Sequence, residues 1–455
     1  MKTRIFSLKS LVMTLGLLFA GVFAFAQKQP AMQYFRYYDQ RGINVFETSK
    51  EDTVGYDGLK VRFGAGFTQG YQSLSHSNGL TDNPTKLYSM GGGFPLAQAN
   101  FNIDVQLYDG VSLNLVSYMS SHHHNEFWVK GGYLQVDKVA FLNSEFMNNL
   151  WKNLTLKVGH MEVNYGDAHF RRSDGGNTMW NPWIENNIMD EFTTEIGAEL
   201  YYKNKGIIAM AGYTDGEIQG NVSKPATGDK DRQPSLYFKA GFDKQLKDNL
   251  RVRLTGSMMT TKSSISNTLF GGDRTGSNYQ YVMENSPVTL TGNAFSGRFN
   301  PGFRDNLTAF MVNPFVKFAG LEVFGTWEYA YGNSQLENGE AGATYAAEAT
   351  NRQSHQTAGE ALYRFGKNEK FYIGARYIKV TATLAEGYTA AVRGSRYDVS
   401  IDRTSFGGGW FVTRNVLLKG EYVTQKYDGY KNTGANARFY QGEFSGVVFQ
   451  GVIAF

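Results

Sequence analysis

Cysteine is absent from all 455 residues, which excludes disulfides, thiolate metal sites and a thiol nucleophile. Proline is scarce, nine residues against 52 glycines, 28 tyrosines and 33 phenylalanines. That balance suits long strands joined by tight turns better than a helical enzyme core. Beyond residue 33 no run of 18 apolar residues occurs, so no transmembrane helix follows the amino-terminal segment. An excess of one charge sign is also lacking: 45 basic side chains include Lys2, Arg4 and Lys9 of the leader, leaving 42 against 41 acidic ones. A nucleic-acid partner, which requires a concentrated basic face, is not expected.

What is present begins with a leader. "MKTRIFSLKS" is basic, "LVMTLGLLFAGVF" is apolar, and Ala24-Phe25-Ala26 forms a small-x-small cleavage site, so residues 1–26 read as a secretory signal peptide. The mean hydropathy of −0.38 is low for a chain that is 15% aromatic. Strands with one polar and one apolar face reconcile the two.

Such strands recur along the chain. In "LKVRFGAGFT" Leu59, Val61, Phe63, Ala65 and Phe67 share one face, and Lys60, Arg62 and Thr68 the other. "FNIDVQLY", "LRVRLTGSM" and "LEVFGTWEYAY" alternate in the same way. About sixteen segments have the roughly 9 to 11 residues a tilted membrane strand needs. Short connections are expected at 109–110, 140–153, 203–206, 243–249, 319–320, 366–370 and 413–415. Long ones are expected at 69–95, 165–194, 215–234, 260–306, 334–352, 385–396 and 430–441, and 120–125 is a short connection on the long side. The pattern predicts an all-β fold: a closed antiparallel transmembrane β-barrel of about 16 strands over 58–455, with short periplasmic turns and long extracellular loops. Its location is then the bacterial outer membrane, among outer-membrane lipid and lipopolysaccharide. Residues 27–57 precede the first strand as a periplasmic segment or a plug.

The chain ends on "GEFSGVVFQGVIAF", an amphipathic strand whose Phe449, Ile453 and Phe455 face lipid and whose pairing with the first strand closes the barrel. A terminal aromatic of this kind resembles the signal read by the outer-membrane assembly machinery. Alternation directs Lys60, Arg62, Asp104, Glu199, Lys239, Arg251, Arg253, Glu322, Glu328, Arg376, Lys419 and Glu421 into the lumen, because a charge facing mid-bilayer costs about 2–4 kcal/mol. Those charges imply a water-filled bore, or else one neutralised as a plug of ion pairs. The loop after the fifth strand contains Arg171, Arg172 and Asp174 beside Gly175-Gly176, a candidate pore constriction in which arginines select anions. His122, His123 and His124 read as an exposed polar tip. No nucleophile elbow, metalloprotease pattern, metal site or cofactor motif occurs, so no enzyme is expected.

Three pieces, "GLKVRFGAGF", "LTLKVGHMEVNYGD" and the terminal Phe455, resemble the porin families of Bacteroidetes-type outer membranes and, more loosely, the phosphate-selective porin O and P group. The resemblance implies a sixteen-stranded, commonly trimeric channel for passive diffusion of small hydrophilic solutes or ions. The Gly-Arg-rich form of a phosphate porin is missing from "LKVGHMEVNYGD". The alternative is a closed or plugged barrel that serves as scaffold or partner of a secretion, assembly or surface-attachment complex.

Overall fold

Sixteen antiparallel strands pair in chain order, and the last pairs with the first. They are β1 (Lys60–Ser77), β2 (Gln98–Tyr108), β3 (Val111–Met119), β4 (Trp128–Val136), β5 (Leu154–Glu162), β6 (Thr194–Asn204), β7 (Ile207–Thr214) and β8 (Ser235–Lys247). The second half comprises β9 (Leu250–Thr261), β10 (Asn306–Phe318), β11 (Leu321–Asn333), β12 (Arg352–Phe365), β13 (Phe371–Glu386), β14 (Ser395–Thr413), β15 (Val416–Asp428) and β16 (Glu443–Ala454). The computed structural model describes residues 29–80, 86–123, 126–173, 177–216, 233–262 and 267–455; the leader, His124 and Asp174 lie outside them. Among the described residues no helix is long and apolar enough to cross a membrane.

Alternation builds the wall. On β10, Leu307, Ala309, Met311, Asn313 and Phe315 are buried inside, while Val312, Pro314 and Val316 point outward. Phe238, Leu254, Val323, Ile373, Leu418 and Phe449 continue an exposed apolar band around the outside. Only lipid makes such a surface favourable, and closure satisfies every ladder hydrogen bond that lipid could not. Near the rim of short turns, Tyr363, Phe365, Phe371 and Trp410 stack in a row with ring centroids 6.1, 5.6 and 6.2 Å apart, an aromatic border of the kind found at a membrane interface. At the seam Phe67 pairs with Ile453, and Phe455 exchanges two backbone hydrogen bonds of 3.0 and 3.1 Å with Ala65.

Two boundaries differ from the sequence reading. β1 runs on to Ser77 instead of ending near residue 68, because its upper half pairs with β16 through Ser77↔Glu443 while its outward side chains there, Ser73 and Ser75, are polar and carry no apolar period. β8 extends to Lys247, leaving a turn of Asp248 and Asn249, because Asp243 is drawn across the ladder by Arg251 at 2.6 Å. The turn from 137 to 153 carries the one regular α-helix of the described residues, α1 (Glu145–Trp151), capped by Ser144.

Leu254 lies mid-strand on β9 and faces outward. Leu254→Arg should lower folding free energy in lipid vesicles by about 2–4 kcal/mol. A urea titration that finds no loss would mean this face does not meet hydrocarbon.

Candidate functional site

The inner wall carries Lys60, Arg62, Asp104, Glu199, Lys239, Arg251, Arg253, Glu322, Glu328, Arg376, Lys419 and Glu421, nearly all of them buried. They are covered by three stretches of the chain that enter the bore, so the interior is largely filled and not the wide aqueous channel that the charges alone suggest.

The first stretch is the segment from 29 to 58, which forms a floor at the rim of short turns. Lys60 anchors its end through Asp57 at 2.5 Å, and Arg62 donates to Pro30 O at 3.3 Å. Gln33 donates to Asp109 at 2.9 Å and Tyr38 to Asp104 at 2.9 Å. The chain then crosses to the opposite wall, where Gln40 N donates to Arg414 O at 3.0 Å and Asn44 to Glu322 at 2.6 Å. Arg251 donates to Asn44 O at 2.9 Å. Lys50 returns the segment to the first wall by donating to Asp137 O at 2.6 Å and Leu154 O at 2.7 Å. Phe46 is 2% exposed, packed on Phe170 and Phe315.

The second stretch is the loop from 163 to 193, between β5 and β6. It carries few strand-forming partners of its own, so its carbonyls are satisfied by wall cations. Lys419 donates to Thr178 O, Asn181 O and Trp183 O at 3.0, 2.8 and 2.7 Å. Arg376 donates to Glu185 O at 2.9 Å and Arg403 to Asn186 O at 2.8 Å. Wall acids take its amides and hydroxyls: Glu421 accepts from Ile184 N at 2.8 Å, Glu199 from Asn164 N at 3.0 Å, and Glu328 from Tyr165 at 3.0 Å. Arg171 and Arg172 are buried inside the barrel, but Arg171 meets Glu322 at 2.8 Å and Glu360 at 2.5 Å on the wall, and Arg172 meets Asp190 at 2.9 Å within the loop.

The third stretch, from 267 to 305, closes over the loop from the long-loop side. Arg298 binds Glu185 at 2.8 Å and Asp190 at 2.7 Å, and Gln72 of β1 exchanges bonds of 2.8 and 2.9 Å with the backbone of Gln280. His122 is not part of an exposed tip. Its two ring nitrogens contact Leu290 O and Ser277 O at 3.1 Å, and burial holds its pKa below the ordinary imidazole value. His123 packs on Trp128.

Sequence reasoning missed the counter-charges within these stretches. Burial pushes the Glu47 carboxyl up, but Arg253 and Lys239 outweigh it and hold it well below the usual carboxylate range. Burial also pushes the Asp167 and Glu185 carboxyls up, but the same two cations hold Asp167 below its ordinary value, and Arg298 and Arg403 do so for Glu185. A usable signal was present: Asp167, Glu185, Asp190 and Glu191 interleave with Trp180 and Trp183, an acid-aromatic mixture unlike a solvated loop.

One side of the bore is left less filled. A cavity of about 270 Å³ lies between the floor, the inward loop and the wall of β2–β5. Asn102, Asn114, Tyr133, Gln135 and Lys157 contribute the wall, Tyr34 and Arg36 the floor, and His169 and Arg172 the loop. The Arg36 guanidinium sits 3.6 Å over the Trp180 ring and donates to Gly42 O and Phe170 O. Burial pushes its pKa down to about 9, so it stays charged at neutral pH. Lys157 Nζ lies 5.1 and 5.3 Å from the rings of Tyr133 and Tyr201, with no ion pair among the described residues. The cavity thus presents cations and neutral polar groups on a partly aromatic surface.

No family model matches the chain, and no curated protein does. Among solved structures it is similar to an anion-selective porin from Comamonas acidovorans, at 10% identity and a TM-score of 0.51 over 87% of this chain and 100% of that one. OprB of Pseudomonas putida follows at 10% identity and a TM-score of 0.48, covering 88% of this chain and 94% of that one. OmpT of Vibrio cholerae gives 13% identity and 0.47, over 88% and 99%. At such identity the likeness is one of fold. A closed sixteen-stranded barrel with an apolar outer band belongs in the bacterial outer membrane.

Burial first, and Asp190 second, push the Glu191 carboxyl up to about 8. Its folded-state value thus exceeds the unfolded value of about 4.3. The stability it contributes is full below that lower value and is lost as pH rises through about 8. Amide exchange in residues 177–193 should report easier opening at about pH 9 than at about pH 6 after correction for intrinsic rates, and Glu191→Gln should flatten the difference. Equal opening free energies at both pH values in the unaltered protein would contradict this.

Proposed function

We propose that this outer-membrane barrel is a porin-like channel through which small hydrophilic solutes or ions diffuse passively, by way of the off-centre cavity beside β2–β5. The observation that carries this reading is the cavity itself. Its volume of about 270 Å³ approaches the roughly 300 Å³ at which small-molecule sites begin, and its walls mix cations, amides and aromatic rings where the rest of the bore is closed by ion pairs. The loop bearing Arg171, Arg172 and Asp174 acts as a constriction by its bulk, since both arginines are matched by carboxylates. Charge preference then falls to the cations that line the cavity, Lys157 foremost. In this reading Phe449, Ile453 and Phe455 serve recognition by the assembly machinery, the outer band meets lipid and lipopolysaccharide, and the barrel works as a homotrimer.

A second reading rests on a different observation. Three stretches cross the bore and are tied down by buried ion pairs, as suits a closed barrel that acts as scaffold for a secretion, assembly or surface-attachment complex.

In planar bilayers the refolded mature protein should give small discrete conductance steps. Removing residues 29–58 should enlarge the steps several-fold, and Lys157→Glu should move the reversal potential in a salt gradient toward cation preference. Silence from both the intact and the shortened protein, each shown to be folded by heat-modifiable mobility, would end the channel reading and favour the second.

A further inference from the structure

On β10 and β11 the inward side chains from Leu307 to Phe315 and from Glu322 to Ala330 are all buried. On β3, β4 and β5 the inward register holds Ser112, Asn114, Tyr133 and Lys157, and these stay part-exposed. All four line the cavity of about 270 Å³, so the surface they keep is cavity surface. An ammonium group thus meets open space inside the barrel.

The carboxylate that should neutralise it is already taken. Glu199 stands directly across the ladder from Lys157, but it accepts from Asn164 N and Tyr237 at 3.0 Å each and from Tyr201. Lys157 is left between the Tyr133 and Tyr201 rings, with neither a hydrogen bond nor an ion pair among the described residues. Two other cations of the cavity have backbone partners: Arg36 donates to Gly42 O and Phe170 O, and Lys203 to Thr48 O. Water can solvate the Lys157 ammonium, but it gains nothing from the rings beside it. A ligand with an anionic head and a short apolar body meets both.

We propose that Lys157 and Tyr133 form a saturable binding site for a small organic monocarboxylate, an assignment that rests on the cavity being the solute path and names the solute class. The ammonium gives the carboxylate a charge-assisted hydrogen bond. Tyr133, whose hydroxyl has no partner among the described residues, supplies a second donor. One uncompensated ammonium suits a single negative charge, and the flanking rings suit a carbon chain over a hydrated inorganic ion.

Titration calorimetry of the refolded full-length mature protein in detergent micelles, corrected with empty micelles, tests the site apart from conductance. Sodium butyrate should saturate one site per chain, while butylammonium chloride and butanol should not. Lys157→Met should weaken butyrate binding at least tenfold, and Lys157→Arg should restore part of it. If Lys157→Met does not fold, the comparison of butyrate with butylammonium and butanol on the unaltered protein decides alone. Silent bilayers with saturable butyrate binding would end the channel reading and leave the site standing. No saturable butyrate binding by a folded, conducting protein, or equal binding of butylammonium, would overturn the proposal.

Discussion

Lys239 and Arg253, both fully inside the barrel, converge on Glu47 and Asp167. Arg253 reaches Glu47 at 2.7 Å and Asp167 at 2.8 Å, and Lys239 reaches the same two carboxylates at 3.4 and 3.1 Å. Glu47 belongs to the floor, Asp167 to the inward loop, and the two cations to adjacent wall strands, so one four-membered cluster joins the three parts of the interior. Removing charges from water is expensive, and it is offset only where each meets a partner in good geometry. A barrel wall that must turn its charges away from lipid therefore requires something inside the bore to receive them. In this chain the N-terminal segment and the loops perform that task.

The same constraint accounts for where space remains. β13, β14 and β15 present Arg376, Arg403 and Lys419, which pull loop carbonyls against them, while β2 and β3 present the neutral amides Asn102 and Asn114. The loop is tied down against β13–β15, and the cavity opens on the side of β2–β5. The asymmetry of the bore follows from where the loop carbonyls are held. It gives Lys157, flanked by two tyrosine rings instead of a carboxylate, its distinct position.

Much of the barrel was legible in the sequence. The turns Asp109-Gly110 and Ala319-Gly320 were found where they occur, and the alternation from Leu250 to Met258 named both faces of β9, because hydrocarbon on one side and polar interior on the other impose a period of two. Legibility failed where that contrast ends. The upper part of β1 is polar outside as well, so its pairing with β16 left no trace in hydropathy. At the candidate site, the inward direction of Arg376 or Glu322 was readable, but their partners were not. Arg171 and Glu322 are 151 positions apart, and nothing local to either signals the other.

What the sequence by itself determined is what depends on the surrounding medium: the strands, the apolar outside, the charges turned inward and the seam at Phe455. Each follows from single residues responding to lipid or water, and such a response is local. Whether the bore is open or filled was decided only by the tertiary structure. That outcome depends on which distant carboxylates and carbonyls reach the wall cations, and closure of the barrel alone brings residues such as Glu47, Asp167, Lys239 and Arg253 within hydrogen-bonding range.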